Sequence, residues 1–297
     1  MERPLPTREL RPPATAGEPL TTPETCRVIA RELAESAVRL LLRRRRRHAP
    51  LVAAEYDLGD WRRVLSERAW LRHASLDDFL NPENANVRVV KLDDRYVRLR
   101  TDAYYDYRRQ ALCAVMQRLA GDADELVELG CGFGRNIFTL LAADPGRRVV
   151  GLDISPHAIA AATEIAAHFG VKGRTTLDVL DLREAADRSW HYVRGRTIFT
   201  YYCLEQLKYA MPQVIDNIVR AAPRRVIHVE PCVETLRLWL PKDLVNYLYI
   251  LRQDYQNSLL TTLRDRERTG ALRIVAEERL YYAPSIRHDP TLICWEP

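Results

Sequence analysis

The stretch Asp124–Asp153, DELVELGCGFGRNIFTLLAADPGRRVVGLD, decides the fold. Glu125–Leu129 is a short apolar run, which predicts a strand. After a glycine turn, Arg135–Ala143 carries apolar residues at helical spacing. Arg148–Leu152 is a second apolar run, and it ends at the carboxylate of Asp153. The order strand, turn, helix, strand predicts a βαβ unit with two parallel strands.

The glycine turn, Gly130-Cys131-Gly132-Phe133-Gly134, favours a ligand that contains a nucleoside. Glycines let the backbone approach a ligand where a Cβ atom would clash, and the following helix offers free N–H groups. Asp153, at the end of the second strand, can accept hydrogen bonds from ribose hydroxyls. The turn is one residue shorter than the dinucleotide pattern G-x-G-x-x-G. Glu128 would repel a pyrophosphate but could hold an amine, so an NAD enzyme is the weaker alternative.

The strings E-L-G-C-G-F-G-R-N and G-L-D-I-S resemble the S-adenosylmethionine (SAM) site of class I, Rossmann-like, methyltransferases. The resemblance implies that Gly130, Gly132 and Gly134 lie under the methionine part of SAM. It implies that Glu128 bonds the amino group, usually through water, and that Asp153 takes the ribose. SAM is therefore the expected cofactor.

The same resemblance implies the residues around the adenine. Ile154 is placed to pack on the adenine face. Asp178, with Val179 beside it at the end of the third predicted strand, would meet the adenine amino group, and Asp181 is the competing candidate. An aromatic residue near the start of the helix before the first strand often contacts the ligand, which suggests Tyr105, with Tyr104 and Tyr107 as alternatives.

Strands and helices alternate over the last two thirds of the chain, which the resemblance covers. We expect an α/β fold with a doubly wound, mostly parallel sheet, and the resemblance implies seven strands with a C-terminal antiparallel pair. The expected regions are a flexible proline-rich arm (1–22), a largely helical N-terminal cap or lid (23–100) and a methyltransferase domain (101–297). In the cap, Gly59-Asp60 would begin a helix that runs to Arg72. Pro241–Arg268 reads as one long helix that could line the acceptor pocket, form a dimer seam or simply pack on the sheet.

Acceptor-side residues follow the fourth and fifth predicted strands, since ligands bind at the C-terminal strand ends of such sheets. Glu205, Glu230 and Tyr201 are the candidates for catalysis, because a carboxylate there could take a proton or hold an amine. Gln206 stands where the family often has histidine, so a histidine base is not predicted, and His228 is expected to be structural. The remaining pocket candidates are Tyr202 and Glu234.

Composition limits the location and the partners. The 297 residues carry a net charge of +5, and the six cysteines are scattered without a C-x-x-C pair. This usage favours a reducing cytoplasm and argues against a zinc site, and no metal is predicted. No apolar window is long enough for a membrane span, and the N-terminus lacks a signal core. The basic run Arg43–Arg47 is read as a solvated helix end or as an RNA contact.

The predicted function is methylation of a small molecule or peptide, on oxygen or nitrogen, in bacterial specialised metabolism. Two alternatives stay open: an RNA methyltransferase that uses Arg43–Arg47, and an inactive methyltransferase-like binding protein. Nucleic acid is the less favoured partner, and a homodimer is a possible assembly.

Overall fold

A computed structural model describes residues 17–42, 55–81, 84–92, 94–121, 123–280, 282–283 and 285–297. The predicted arm up to residue 16 and the Arg43–Arg47 run lie outside these residues. The last part of the predicted arm is paired, because strand β1 (Glu18–Pro19) lies antiparallel to a strand of the cap.

The N-terminal cap combines helices with a small sheet. Its elements are β1, helix α1 (Thr22–Leu41), a π-helix (Glu55–Trp61), α2 (Arg62–Glu67), α3 (Leu76–Leu80), and the hairpin strands β2 (Val87–Leu92) and β3 (Arg95–Arg100). Helical structure thus begins at Glu55 and breaks at Arg68, so the prediction of one helix starting at Gly59-Asp60 was wrong. Arg68 has a left-handed backbone (φ 45°), which ends α2 and allows a separate 3₁₀ turn to follow.

Seven strands of the described chain form the main sheet, in the order β6-β5-β4-β7-β8-β11-β9. Strands β4 to β8 run parallel, whereas β11 lies antiparallel to both β8 and β9. This confirms the predicted doubly wound sheet with its C-terminal antiparallel pair. The strands are β4 (Glu125–Leu129), β5 (Arg148–Asp153), β6 (Thr175–Val179), β7 (Thr197–Tyr201), β8 (Arg225–Glu230), β9 (Arg273–Arg279) and β11 (Thr291–Glu296).

Helices cover the sheet and bury its apolar strands, as expected where both faces of a parallel sheet are covered. The helices of this part of the chain are α4 (Thr101–Ala120), α5 (Arg135–Ala143), α6 (Pro156–His168), α7 (Met211–Arg220), α8 (Pro241–Gln253), which packs against α1 of the cap, and α9 (Leu259–Arg268). Between β4 and β7 the strand order reverses, and such a switch point is where α/β sheets bind ligands. No helix in the described ranges combines the length and the apolar character needed to cross a membrane.

The predicted helix Pro241–Arg268 was wrong, because the chain breaks between α8 and α9. Asp254 adopts a left-handed backbone (φ 59°) and ends α8. The buried side chain of Gln256 then accepts hydrogen bonds from the backbone N–H groups of Ser258 and Leu259, which begin α9. The apolar spacing continues across this break, so periodicity alone could not reveal it.

The C-terminal part of the chain visits both sheets. After β9 it forms a short strand, β10 (Tyr282–Ala283), which pairs antiparallel with β2 of the cap. It then returns to the main sheet as β11. The cap is therefore tied to the core by strand pairing.

Candidate active site

A cavity of about 350 Å³ opens at the C-terminal ends of β4, β5 and β7. The glycine turn and the residues that follow β5, β6 and β7 line it, and Trp61 of the cap closes one side. A cavity of this size lies in the range of small-ligand pockets.

The glycine turn needs glycine for two separate reasons. Gly130, Gly132 and Gly134 have φ values of 74°, 53° and 88°, a region that other residues seldom adopt. At Gly130 an added Cβ would also lie 2.0 Å from Cys203 Sγ, and at Gly132 it would lie 3.2 Å from the Trp61 ring. The turn is therefore a cradle that leaves its backbone open to the cavity.

Asp153 lines the cavity and holds the glycine turn in place. Its Oδ2 accepts a hydrogen bond from Gly132 N (2.7 Å), and its Oδ1 accepts one from Ser155 N (2.9 Å). Burial raises the pKa of this carboxyl. Each carboxylate oxygen keeps further acceptor capacity, which suits a sugar hydroxyl.

Glu128 lies in β4, buried beneath the cavity floor. Its Oε1 accepts a hydrogen bond from Asn136 Nδ2 (2.6 Å), and Asn136 lines the cavity. No described residue donates a hydrogen bond to its Oε2, and burial raises the pKa of Glu128 to about 8. A buried carboxylate oxygen that receives no hydrogen bond from the protein fits the amino group of SAM, reached through a water molecule.

Arg108 of α4 is a cavity-lining cation that sequence reasoning missed as a site residue. Its Nε donates to Tyr201 Oη (3.1 Å), and its guanidinium lies 4.5 Å from the centre of that ring. A second hydrogen bond runs from Arg108 to Asn136 Oδ1 (3.3 Å). Tyr105, the predicted ligand contact, instead packs against Arg135 (4.7 Å) outside the cavity lining. Arg108 lies about one turn further along the same helix, and this spacing was the available signal.

The structure places Ile154 in the cavity wall, whereas Asp178 and Val179 lie outside it. The Oδ2 atom of Asp178 accepts a hydrogen bond from Ser189 Oγ (3.1 Å). Strand β6 ends at Val179, and the chain beyond it brings Asp181 to the cavity. Asp181 forms an ion pair with Arg183 (2.6 Å). Asp181, the competing candidate for the adenine contact, therefore lines the cavity, and Asp178 does not.

On the acceptor side the structure brings Tyr201 and Glu205 to the cavity but not Glu230. Glu230 is fully buried, accepts a hydrogen bond from Cys203 N (2.9 Å), and has its pKa raised by burial to about 8. Gln206 lines the cavity and donates to Glu205 Oε1 (3.1 Å).

The two other carboxylate and imidazole candidates lie elsewhere. His228 is buried in β8, where Trp295 Nε1 donates to its Nε2 (3.0 Å) and burial lowers its pKa to about 3. Glu234 accepts a hydrogen bond from Thr261 N (3.0 Å) outside the cavity lining. The contacts of His228 agree with the structural role predicted for it.

The cap is fastened to the main domain close to Asp153, at the start of α6. Asp57 accepts hydrogen bonds from Ser155 Oγ and from His157 N (3.2 Å) at the start of α6. Burial acts to raise the pKa of Asp57, but these hydrogen bonds outweigh it and lower the pKa. Four residues along, Trp61 packs against Phe133 of the glycine turn (5.6 Å between ring centres). The cap thus covers the cavity from a fixed position.

Comparisons with known proteins agree with this geometry. Residues 127–223 match the family model described as a methyltransferase domain. The chain is 34% identical over 110 residues, 36% of its length, to the 23S rRNA (uracil(1939)-C(5))-methyltransferase RlmD of Bordetella avium (strain 197N). It spans about a fifth (22%) of that protein.

Solved structures are similar to this chain at low sequence identity, and the first of the two described next shares its fold. The (4+2)-cyclase SpnF matches with a TM-score of 0.53 and 13% identity, over 82% of this chain and 95% of that one. A geranyl diphosphate methyltransferase in complex with GPP and sinefungin matches with a TM-score of 0.49 and 12% identity, over 80% of this chain and 99% of that one.

The family match begins in β4 and ends just after α7, and so contains the glycine turn, Asp153 and Glu205. The glycine cradle, the cavity-lining carboxylate of Asp153 and the unpaired buried oxygen of Glu128 fit the SAM molecule that methyltransferases of this class use. Residues 127–223 therefore carry a methyltransferase domain, on a sheet of the class I, Rossmann-like, type, and its site fits SAM as the cofactor.

Proposed function

We propose that this chain transfers a methyl group from SAM to a small-molecule or peptide acceptor, on oxygen or nitrogen. The observation that carries the proposal is the meeting of the glycine turn, Asp153 and Glu205 around one cavity at the C-terminal strand ends. The first two belong to the cofactor side, and Glu205 belongs to the acceptor side. A single cavity can therefore hold both reactants.

Each part of SAM has a group of this chain to hold it. Asp153 would accept the ribose hydroxyls, and Glu128 would take the amino group through water. The guanidinium of Arg108 would pair with the carboxylate, since arginine binds carboxylates with two parallel hydrogen bonds. Asp181 and Ile154 would contact the adenine.

Bound SAM supplies a methyl electrophile that is already activated, so the protein mainly has to position the acceptor. Trp61 and the two tyrosines Tyr201 and Tyr202 wall the cavity. These rings would exclude water and orient a flat or apolar acceptor. Aromatic rings beside the carboxylate of Glu205 support an acceptor with a polar reacting atom on an apolar body.

A small acceptor is favoured because Trp61 of the cap closes one side of the cavity, which has the volume of a small-ligand pocket. A role in bacterial specialised metabolism, a cytoplasmic location and a homodimer stay predictions.

An RNA acceptor is the second candidate. It is supported by the 34% identity to an enzyme named as an rRNA methyltransferase and by the Arg43–Arg47 run. Such an interface would bind RNA with an affinity that falls steeply as salt rises, because phosphate contacts release counterions.

The test begins with the full chain and calorimetric titration of SAM and of S-adenosylhomocysteine (SAH). The chain is then incubated with methyl-labelled SAM and a bacterial extract that has been divided into small-molecule, protein and RNA fractions. We expect label in the small-molecule fraction and none with Asp153→Asn. Label in RNA would establish the second candidate instead. Binding of SAH without transfer to any fraction would favour the binding-protein alternative, because a shared fold does not fix the reaction.

A further inference from the structure

His288 lies between β10 and β11 and is enclosed by three tyrosine rings. Its ring stacks on Tyr255 (5.4 Å between centres, 21° between planes) and contacts Tyr249 (5.0 Å) and Tyr202 (5.1 Å). The packing leaves the imidazole only 9% exposed and fixes the direction of its nitrogen atoms.

The backbone around this contact is strained on both sides. His288 has a φ of 80° and Tyr202 has a φ of 53°, in a region that bulky residues rarely adopt. The two residues are also joined, because Tyr202 Oη donates to the carbonyl oxygen of His288 (2.9 Å). Strain of this kind persists only where the surroundings over-determine it, and it concentrates at functional sites.

Neighbouring residues hold this segment of chain in place. Asn246 Oδ1 accepts a hydrogen bond from His288 N. The next residue, Asp289, has a fully buried side chain that pairs with Lys91 of β2 and with Arg279 of β9 (2.8 Å). His288 is therefore anchored to the cap, the main sheet and α8 at once.

This anchored imidazole points at Glu205. The distance from His288 Nε2 to Glu205 Oε2 is 2.6 Å, close enough for an ion pair although the ring N–H is not aligned for a hydrogen bond. Glu205 is 5% exposed and lines the cavity. Its backbone is also fixed, because its carbonyl oxygen accepts a hydrogen bond from Gln256 N (2.8 Å). The cavity-lining residue Glu205 is thus held in place by His288 at its carboxylate and by Gln256 at its backbone.

We propose that Glu205 accepts the proton of the attacking acceptor atom and that His288 is the positioning residue that orients its carboxylate. This inference rests on the proposed function. Glu205 takes the proton from the acceptor heteroatom as that atom bonds to the methyl carbon and the methyl–sulfur bond breaks, leaving its electron pair on sulfur. The proton then leaves Glu205 for solvent. The acceptor class is a compound that presents a hydroxyl or a neutral amine group at the methylated atom.

The test uses sinefungin, a SAM analogue with an amine near the position of the transferred methyl group, and SAH, which has nothing there. Both are titrated calorimetrically into the full-length chain. We expect Glu205→Gln to lower the preference for sinefungin over SAH by about tenfold, since a charge-assisted contact is lost, while SAH affinity is kept. Glu234→Gln is the matched control, and it should leave the preference unchanged because Glu234 bonds Thr261 outside the cavity lining.

His288→Phe retains the ring packing but removes the nitrogen that faces Glu205. It should lower the sinefungin preference several-fold, and His288→Gln, which keeps an N–H group, should restore part of it. In the Glu205→Gln background His288→Phe should add nothing, because the histidine acts through the glutamate. Additive effects of the two substitutions would overturn the positioning role.

The remaining outcomes separate the two proposals. An unchanged sinefungin preference in Glu205→Gln, with SAH still bound, would overturn the inference and leave the proposed function standing. Failure of the unmodified chain to bind SAH would instead overturn the proposed function.

Discussion

The cofactor edge and the acceptor edge of the cavity are built in different ways. The edge proposed to bind the cofactor consists of the glycine turn, Asp153 and Asp181. They follow consecutive strands of βα units, so their short spacing in the sequence makes them recognisable. The acceptor edge joins Glu205, which follows β7, to His288 near the C-terminus. Local motifs therefore identify the first edge, whereas the contact of His288 with Glu205 at the second edge is seen only in the folded chain.

The largest expected effect tests whether the cofactor edge depends on its turn. Gly130→Ala would place a Cβ atom 2.0 Å from Cys203 Sγ at a φ of 74°. We expect the free energy of unfolding to fall by roughly 4 kcal/mol, from strain and overpacking together, with loss of SAH binding. Urea unfolding and calorimetry measure the two effects. Gly173→Ala, at an open position with no positive φ, is the control and should change little.

The next effect concerns the carboxylate at the end of β5. Asp153→Asn, or Asp153→Ala, should weaken SAH binding by about 3 kcal/mol, because hydrogen bonds from the ribose to a charged group are lost. Calorimetric dissociation constants give the value, and a thermal melt checks that the turn survives the loss of the Gly132 contact. Unchanged affinity would remove Asp153 from the ribose site.

Arg108 lies where the two edges meet, since it contacts both Asn136 and Tyr201. Arg108→Met should weaken SAH binding by about 2 kcal/mol, the loss of a charge-assisted contact to the carboxylate. The same substitution should not weaken the binding of 5′-methylthioadenosine, because that ligand lacks the carboxylate. An equal loss for both ligands would show that Arg108 acts through the structure of the cavity instead.

Ligand binding should release a proton near neutral pH. Glu128 has a pKa raised by burial to about 8, so at pH 7 the free protein holds this carboxyl protonated. An ammonium group favours the ionised form, so SAH binding should expel nearly one proton at pH 7 and tighten roughly fiftyfold from pH 6 to pH 8. Calorimetry in buffers of different ionisation enthalpy counts the proton. Release that persists in Glu128→Gln would assign it to another acid, such as Asp153.

The smallest effect separates the two candidates for the adenine contact. Asp181→Asn should weaken SAH binding by about 1 kcal/mol, since it lines the cavity, whereas Asp178→Asn should have less effect. The reverse order would mean that the chain after β6 rearranges when ligand binds.

The sequence was sufficient to predict the sheet, the glycine turn and Asp153, because alternation and close spacing encode them directly. It left Asp178 and Asp181 as candidates for the adenine contact because the end of a strand is uncertain by a few residues, and Asp181 is the one of the two that lines the cavity. It missed Arg108 and His288 because their roles arise from contacts between distant segments. It joined α8 to α9 because Gln256, a single buried capping residue, interrupts an otherwise continuous apolar pattern.

The path of the C-terminal segment has a consequence for how this enzyme could diversify. Strand β10 completes the cap sheet, and Asp289 pairs with Lys91 of β2, so the cap and the last residues should melt as one cooperative unit. A chimera that joined a foreign cap to residues 101–297 would leave β10 with an open edge and would remove Lys91 from the buried Asp289, which would keep only its pair with Arg279. New acceptor specificities should therefore arise by point substitution around the cavity, and exchange of the cap as a module should fail.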